Sequence, residues 1–316
     1  MNEASNANPV AVRAPAKLNL QLSVGRRAED GFHPLATVFQ AVSLWETVVA
    51  SPRDDDQVTA TVDAHAGIHA EGVPLDEENL AVRAARAVAG RFGVERGIDL
   101  RILKSVPVAG GMAGGSADAA AALVACSEAW GVGANRSDLA ALAEGLGSDV
   151  PFCLHGYTAI GVGRGQELTP AMTKGELHWV LATQDQGLST AAVYSEFDRQ
   201  VEAGDRLVRE PGIDEDLMAS LRAGDAAGVA ERLSNDLQDA ALALDPRLRD
   251  VLEAAKATGA LGAIVSGSGP TVAVLARSRQ QAVAVAAGLT AADVSDGVLL
   301  ASGPVPGATI LASELG

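Results

Sequence analysis

Residues 107–123, PVAGGMAGGSADAAAAL, constrain this chain more than any other stretch. Gly110, Gly111, Gly114 and Gly115 free the backbone to turn tightly and to approach a ligand. Ser116 then opens an alanine-rich run of strong helix formers. The start of a helix carries unpaired N–H groups and a partial positive charge, so a glycine loop feeding one builds an anion site, most often for phosphate. The preceding IDLRILKSVPV alternates like a strand, which gives strand, loop and helix in that order. No Gly-Lys-Ser or Gly-Lys-Thr ending makes it a P-loop, and the glycine spacing is not that of a dinucleotide fingerprint. The segment predicts nucleotide binding through a different loop; the competing reading is a glycine turn before a buried helix.

At 316 residues the chain can bury a sizeable core and is expected to form two domains. With only 3% aromatic residues, that core must be built of Ala, Val and Leu. A net charge of −16 argues against general affinity for nucleic acid or acidic membranes, so an anionic ligand needs a local cluster of N–H groups, lysine or metal. Cys126 and Cys153 lie in apolar stretches and read as buried thiols. MNEASNANPV lacks the pattern of a signal peptide, and no apolar run is long enough for a membrane span, so a cytoplasmic protein is expected.

Along the chain, the first ten residues are expected to fray. VAVRAPAKLNLQLSVG reads as strand broken by Pro15, and VFQAVSLWETVVA as strand. RDDDQ reads as a hairpin tip before the strand QVTATV. EENLAVRAARAVAGRF is helical and closed by Gly93; SDLAALAEGLG is a short helix begun by Ser137 and Asp138. A boundary is placed near Gly165, before the strand HWVLAT. STAAVYSEFDRQ reads as a helix, residues 200–213 as a loop, and DAAGVAERLSNDLQDAALAL as one amphipathic stretch. Asp245 and Pro246 start the next helix, GAIVSGSGPTVAVLA is strand, turn and strand, and Ser278 with Gln281 forms a capping box. GVLLAS and GATIL read as a closing strand pair. Without regular βαβ alternation, α+β is the expected class.

Four further segments can carry chemistry. In APAKLNL, Lys17 and Asn19 share one face of a strand, which serves either a site or an exposed edge. In EDGFHPL, Phe32 and His33 follow an Asp-Gly turn and suit recognition of a ring or hydroxyl, although a lone histidine is more often simply satisfied. In LGSDVPF, Asp149 could accept a proton from a substrate hydroxyl or act as a turn or cap residue. In SGSGPT, glycines around Ser268 could approach another backbone, offer N–H groups to phosphate, or make only a hairpin turn.

Together and in this order, PAKLNL, DGFH, ENL, GGMAGGSADAA, GSDVPF, NDL and GSGPT resemble the GHMP kinase superfamily of small-molecule kinases, from about residue 11 to about residue 308. The forms DGFH and GSDVPF resemble the branch whose acceptor is a cytidyl diphosphate compound of the non-mevalonate isoprenoid pathway. The resemblance implies two lobes: an N-terminal lobe like ribosomal protein S5 domain 2 over residues 1–165, and a ferredoxin-like lobe over 166–316. It implies ATP on Pro107, Val108, Ala109, Gly110, Gly111, Met112, Ala113, Gly114, Gly115, Ser116 and Ala117, with the adenine side around Asn79, Leu80 and Lys104. Lys17 and Asp149 would flank the acceptor hydroxyl, with Asn19 close by. Phe32, His33 and Tyr194 would meet the cytidine end, and Gly267, Ser268 and Gly269 would face the site from the second lobe. Mg²⁺ is implied with ATP, Ser116 being a candidate neighbour, and the protein is expected to act as a monomer or weak homodimer. The chain departs from the family pattern at Phe32, where tyrosine is usual, at Met112-Ala113, where Leu-Gly is usual, and at Ala117, which replaces a second serine. Other readings are a homoserine, mevalonate or sugar kinase of the same superfamily, and a nucleotide-binding sensor without catalysis.

Overall fold

The computed structural model describes residues 8–312. Of the ten residues expected to fray, 1–7 lie outside that range and Val10 already opens a strand. The first half builds β1 (Val10–Val24), β2 (Leu35–Pro52), β3 (Val58–Ala64), α1 (Leu80–Phe92), β4 (Ile98–Lys104), α2 (Gly114–Trp130), α3 (Arg136–Leu146), α4 (Val150–His155), β5 (Thr158–Gly163) and β6 (Glu167–Pro170). β1 is not broken at Pro15. Pro15 faces Trp45 and Ala16 faces Val42, so Ser43 and Leu44 bulge out of β2. A proline has no N–H for the ladder, and a bulge opposite it removes the need for one.

β2 pairs with β1 along its length and divides its other edge between partners. Leu35–Gln40 pairs with β5, and Thr47–Pro52 pairs with β4. RDDDQ is not a hairpin tip, because β3 crosses over to pair in parallel with β4. α1 and α2 cover this sheet. α2 packs on it with Ala117, Ala119, Ala120, Ala121, Ala122 and Ala125, all fully buried, and such small side chains let the helix lie close. The start of α1 is capped by Asn79, whose side chain accepts the Ala81 and Val82 N–H groups, and Gly93 ends it at φ 67°. α3 has its capping box on Asn135 and Asp138 rather than on Ser137.

The second half builds β7 (Leu177–Thr183), α5 (Thr190–Glu202), α6 (Glu215–Ala223), α7 (Ala226–Arg232), β8 (Ser234–Asn235), α8 (Gln238–Leu244), α9 (Arg247–Ala257), β9 (Gly262–Val265), β10 (Val272–Ala276), α10 (Arg279–Ala292), β11 (Gly297–Gly303) and β12 (Thr309–Ile310). Its four-stranded sheet runs β11-β7-β10-β9, the strand order of a ferredoxin-like unit with extra helices after β7. The stretch expected to be one amphipathic element is two helices, split where β8 pairs with β1. GVLLAS and GATIL do not pair with each other: β11 joins β7, and β12 joins β1. Gly165 lies in the turn between β5 and β6, both in the first sheet, so that sheet continues past the expected boundary. The Gln281 side chain accepts from Arg277 N–H, which leaves only the Ser278 half of the expected capping box.

The sheets share a core. Ala16, Leu18, Leu20, Val38 and Val42 of the first pack with Trp179, Leu181, Ile264 and Leu275 of the second. Cys126 and Cys153 are free and buried, and burial pushes both thiols up out of the reactive range.

Candidate active site

A cleft of about 1240 Å³ opens between the glycine loop, the β1 face, the start of α4, the loop after β1, α5 and the turn between β9 and β10. Lys17 and Asn19 alternate along β1 with the buried Ala16, Leu18 and Leu20, so their side chains point the other way, into the cleft.

The loop is held from several sides. The Lys17 N–H donates to the Met112 carbonyl at 3.1 Å, and the Met112 side chain is buried in the shared core. From the second half, Ser266 Oγ donates to the Gly111 carbonyl at 3.2 Å and the Thr271 N–H to the Gly110 carbonyl at 3.4 Å. Gly111, at φ 75°, lies so close to this turn that any side chain would strike the Ser266 and Gly269 carbonyl oxygens. Asn235, from NDL, fixes the turn by donating to the Val265 and Gly267 carbonyls at 2.8 and 2.7 Å. Ala113, in left-handed backbone at φ 61°, precedes α2 and makes no side-chain cap. The first N–H groups of α2, at Gly114, Gly115 and Ser116, therefore start uncapped at the cleft wall.

At the centre, Lys17 Nζ stands 3.8 Å from Asp149 Oδ2. Asp149 occupies the cap position of α4 yet its side chain caps nothing, which leaves the carboxylate free. Lys17 Nζ donates to Asn19 Oδ1 at 2.6 Å, Asn19 Nδ2 donates to Thr37 Oγ1 at 2.8 Å, and Thr37 Oγ1 donates to the Gln21 carbonyl at 2.6 Å. The Thr37 hydroxyl spends its proton on Gln21, so it must accept from the Asn19 amide, and the Asn19 oxygen must face Lys17. A side chain on Gly267 would come within 3.2 Å of both Asn19 Oδ1 and Lys17 Nζ, so the late turn covers this pair closely.

At the far end, His33 Nε2 lies 2.8 Å from Asp198 Oδ1 on α5, with the Tyr194 ring 4.9 Å away and the Phe197 ring edge-on. Burial, with the charge of Asp149, pushes the Tyr194 phenol up to about 12, so it stays a neutral donor. Phe32 is 51% exposed, and one face of its ring carries the Arg164 guanidinium at 3.6 Å. The Phe32 N–H and then Arg164 hold the Asp30 carboxyl below its usual range. Arg27 also lines this end.

The cleft thus gathers Lys17, Asn19, Phe32, His33, Leu80, Ala109, Gly110, Gly111, Ala113, Gly114, Gly115, Ser116, Asp149, Tyr194, Gly267 and Ser268. It does not gather Pro107, Val108, Met112, Ala117, Gly269, Asn79 or Lys104, which are absent from its lining. Met112 and Ala117 are core, and Asn79 is spent on capping α1. Lys104 is buried between Glu46 and Asp118. Arg27, Thr37, Arg164 and Asp198 were not singled out from sequence. Arg164 lies beside Gly165 in the turn between β5 and β6, and Asp198 lies in the helix read from STAAVYSEFDRQ, with no local signal for either.

The model of the GHMP kinases N terminal domain matches residues 79–157, and that of the GHMP kinases C terminal matches residues 217–294. The chain belongs to the GHMP kinase family. It is 51% identical over 305 residues to a protein of Thermobifida fusca named 4-diphosphocytidyl-2-C-methyl-D-erythritol kinase, covering 96% of this chain and 98% of that one. It is 52% identical to the protein of the same name from Streptomyces avermitilis, covering 96% and 99%. A crystal structure of 4-(cytidine 5'-diphospho)-2C-methyl-D-erythritol kinase superposes with a TM-score of 0.75 at 30% identity, covering 92% of this chain and 98% of that one.

Proposed function

We propose that this protein transfers the γ-phosphoryl group of ATP to the 2-hydroxyl of 4-diphosphocytidyl-2-C-methyl-D-erythritol. The observation that carries the reading is the Lys17–Asp149 pair, set in one cleft between a phosphate loop and an aromatic, histidine-bearing end. Phosphoryl transfer asks the protein mainly for alignment and charge stabilisation. The N–H groups at the start of α2 hold the nucleotide phosphates. Asp149 accepts the proton of the acceptor hydroxyl, and Lys17 keeps Asp149 oriented and stabilises charge developing on the transferred group. The 3.8 Å between Lys17 and Asp149 is long for an ion pair and leaves both free to contact one inserted hydroxyl oxygen. Phe32 and Tyr194 offer ring faces to the cytosine, His33 offers a polar edge, and Arg27 and Arg164 bring positive charge toward the diphosphate of a substrate entering a chain of net charge −16.

Among the described residues no three His, Cys, Asp or Glu side chains converge as a metal site. The residues fit a Mg²⁺ ion that would arrive with the nucleotide, and Ser116, at the cleft wall beside the start of α2, would be a candidate neighbour for it. Bound there, it would neutralise charge on the transferring group. No helix among the described residues is long and apolar enough to cross a membrane; a cytoplasmic monomer or weak homodimer belongs to the same proposal.

The test is ADP release from ATP with Mg²⁺ and the cytidyl acceptor, with homoserine and mevalonate as parallel acceptors. Release that depends on the cytidyl compound, with product carrying one added phosphate, is expected. Release with another acceptor alone would reassign the substrate, and nucleotide binding without transfer would favour a sensor.

A further inference from the structure

Three ionisable side chains lie beneath the phosphate loop, outside the cleft. Glu46 of β2 is 0% exposed, Lys104 at the end of β4 is 2% exposed, and Asp118 in the second turn of α2 is 4% exposed. Lys104 Nζ lies 2.5 Å from Glu46 Oε1 and 2.7 Å from Asp118 Oδ2. Glu46 Oε2 accepts the Ser105 N–H at 2.9 Å. A side chain on Gly114 would come within 3.0 Å of Glu46 Oε1 and 3.3 Å of Lys104 Nζ. The cluster thus binds the chain just before the loop, at Ser105, and just after it, at Asp118, and lies close beneath Gly114.

Stability does not account for the cluster. Burying charged groups costs several kcal/mol each, and apolar side chains of similar volume usually fill such a place as well or better. A geometric task accounts for it. Ala113 holds a left-handed φ of 61° that disfavours alanine, and such a conformation persists only where the flanking chain is fixed. The cluster fixes that flank.

We propose that Glu46, Lys104 and Asp118 act as positioning residues, a buried ionic staple that sets the spacing between the two ends of the phosphate loop and so aims the first N–H groups of α2 at the nucleotide phosphates. The Lys104 ammonium, held between the two carboxylates, then serves the nucleotide through the loop. The inference rests on the kinase reading for the identity of the nucleotide, and its test does not need the acceptor.

The experiment compares the full-length protein with Glu46→Met/Lys104→Met/Asp118→Leu, which removes every charge of the cluster at similar volume. The dissociation constant for ATP is measured by equilibrium titration, and the melting temperature is measured alongside. Steady-state KM values for ATP and for the cytidyl acceptor follow. A tenfold or larger weakening of ATP binding is expected at a melting temperature within a few degrees of the parent, with the acceptor KM within twofold. ATP binding within twofold of the parent, in a variant that melts normally, would overturn the proposal. If the triple variant does not fold, Asp118→Asn, equal in size, decides: about threefold weaker ATP binding supports the staple, and unchanged binding overturns it. Absence of transfer to the cytidyl acceptor by the parent protein would sink the functional reading while the ATP titrations still decide the staple.

Discussion

The two ends of the cleft are built in opposite ways. The phosphate loop is clamped: its carbonyls are tied to β1 and to the late turn, Gly111 is pressed against backbone, and an ionic cluster lies under its flanks. The acceptor end is assembled from side chains on a turn, a hairpin tip and a helix, among them the exposed Phe32 covered by Arg164 and the His33–Asp198 contact. The phosphate end is therefore ready before any ligand arrives, whereas the acceptor end can adjust. Because the sheets share an apolar core, adjustment falls to these side chains and loops more than to rotation of one half against the other. Lys17 and Asp149 stand where the two ends meet.

The sharpest break should come at that junction. Asp149→Asn or Lys17→Ala should lower kcat by about 10²–10⁴-fold while ATP affinity stays within a few-fold, as measured by ADP release and nucleotide titration. Near-normal turnover of Asp149→Asn would remove Asp149 as the base. Within the clamped end, Gly111→Ala should cost about 3 kcal/mol, because a methyl group would meet the Ser266 and Gly269 carbonyls at a φ of 75°. Thermal or denaturant unfolding would show the loss, with ATP binding weakened alongside it. An alanine variant that melts like the parent would mean that the loop is looser than the contacts imply.

The staple also gives the clamped end a pH signature. Burial, followed by repulsion from Asp118, raises the Glu46 carboxyl to about 8 despite Lys104 and the Ser105 N–H. Burial alone draws the Lys104 ammonium down, but attraction to Asp118, joined by Glu46 once it ionises, outweighs it and holds lysine charged. Between the unfolded value, about 4.5, and about 8, the unfolded chain has lost a proton that the folded chain keeps. Stability attributable to Glu46 therefore falls as pH rises through that window, is fully present below it, and is flat above it. Glu46→Gln, which mimics the protonated form, should melt with less pH dependence from pH 5 to 8 than the parent, a difference on the order of 3–4 kcal/mol by pH 8. Equal pH slopes would show that Glu46 is ionised in the fold.

At the adjustable end the effects should be smaller and confined to the acceptor. Asp198→Ala frees the His33 ring and should raise the acceptor KM about tenfold, as expected for a lost hydrogen bond to a charged group. Arg164→Ala uncovers one face of Phe32 and should raise it about two- to fivefold. ATP KM should stay unchanged in both. A matching rise in ATP KM would mean that the two ends are coupled.

The contrast also explains what was legible in the sequence. The loop and the Lys17–Asn19 face were readable because glycine placement and strand alternation are local, and Asp149 was marked by its motif. Pairing across the chain was not. Pro15 lies within one continuous strand because the compensating bulge sits in β2, and β3 finds β4 only after the intervening helix α1. Lys104 and Asn79 are implied at the adenine side only through the family resemblance, which says nothing of exposure; the side chain of one is locked to Asp118, fourteen residues on, and that of the other caps a helix. Asp198 and Arg164 owe their places to partners 165 and 134 residues away, His33 and Asp30, and no spacing rule reaches that far.

The smallest expected effect tests how tightly the clamp holds. Ala113 stands where glycine is usual in the family and takes a φ of 61°. Left-handed backbone costs alanine about 1–2 kcal/mol, and glycine adopts it freely. Glycine also gives the unfolded chain more freedom, which takes back about 0.4–1 kcal/mol. Ala113→Gly should therefore gain only about 0.5 kcal/mol, a rise of a degree or two in melting temperature for a chain of this size. The informative measurement is ATP affinity in the same variant. If the staple fixes the exit of the loop, relieving strain at Ala113 leaves affinity within twofold, because Glu46 and Lys104 still lie directly beneath Gly114. A clear loss of affinity would show that the alanine methyl group itself restricts the loop, and the rigidity assigned to the buried cluster would then belong in part to the loop's own backbone.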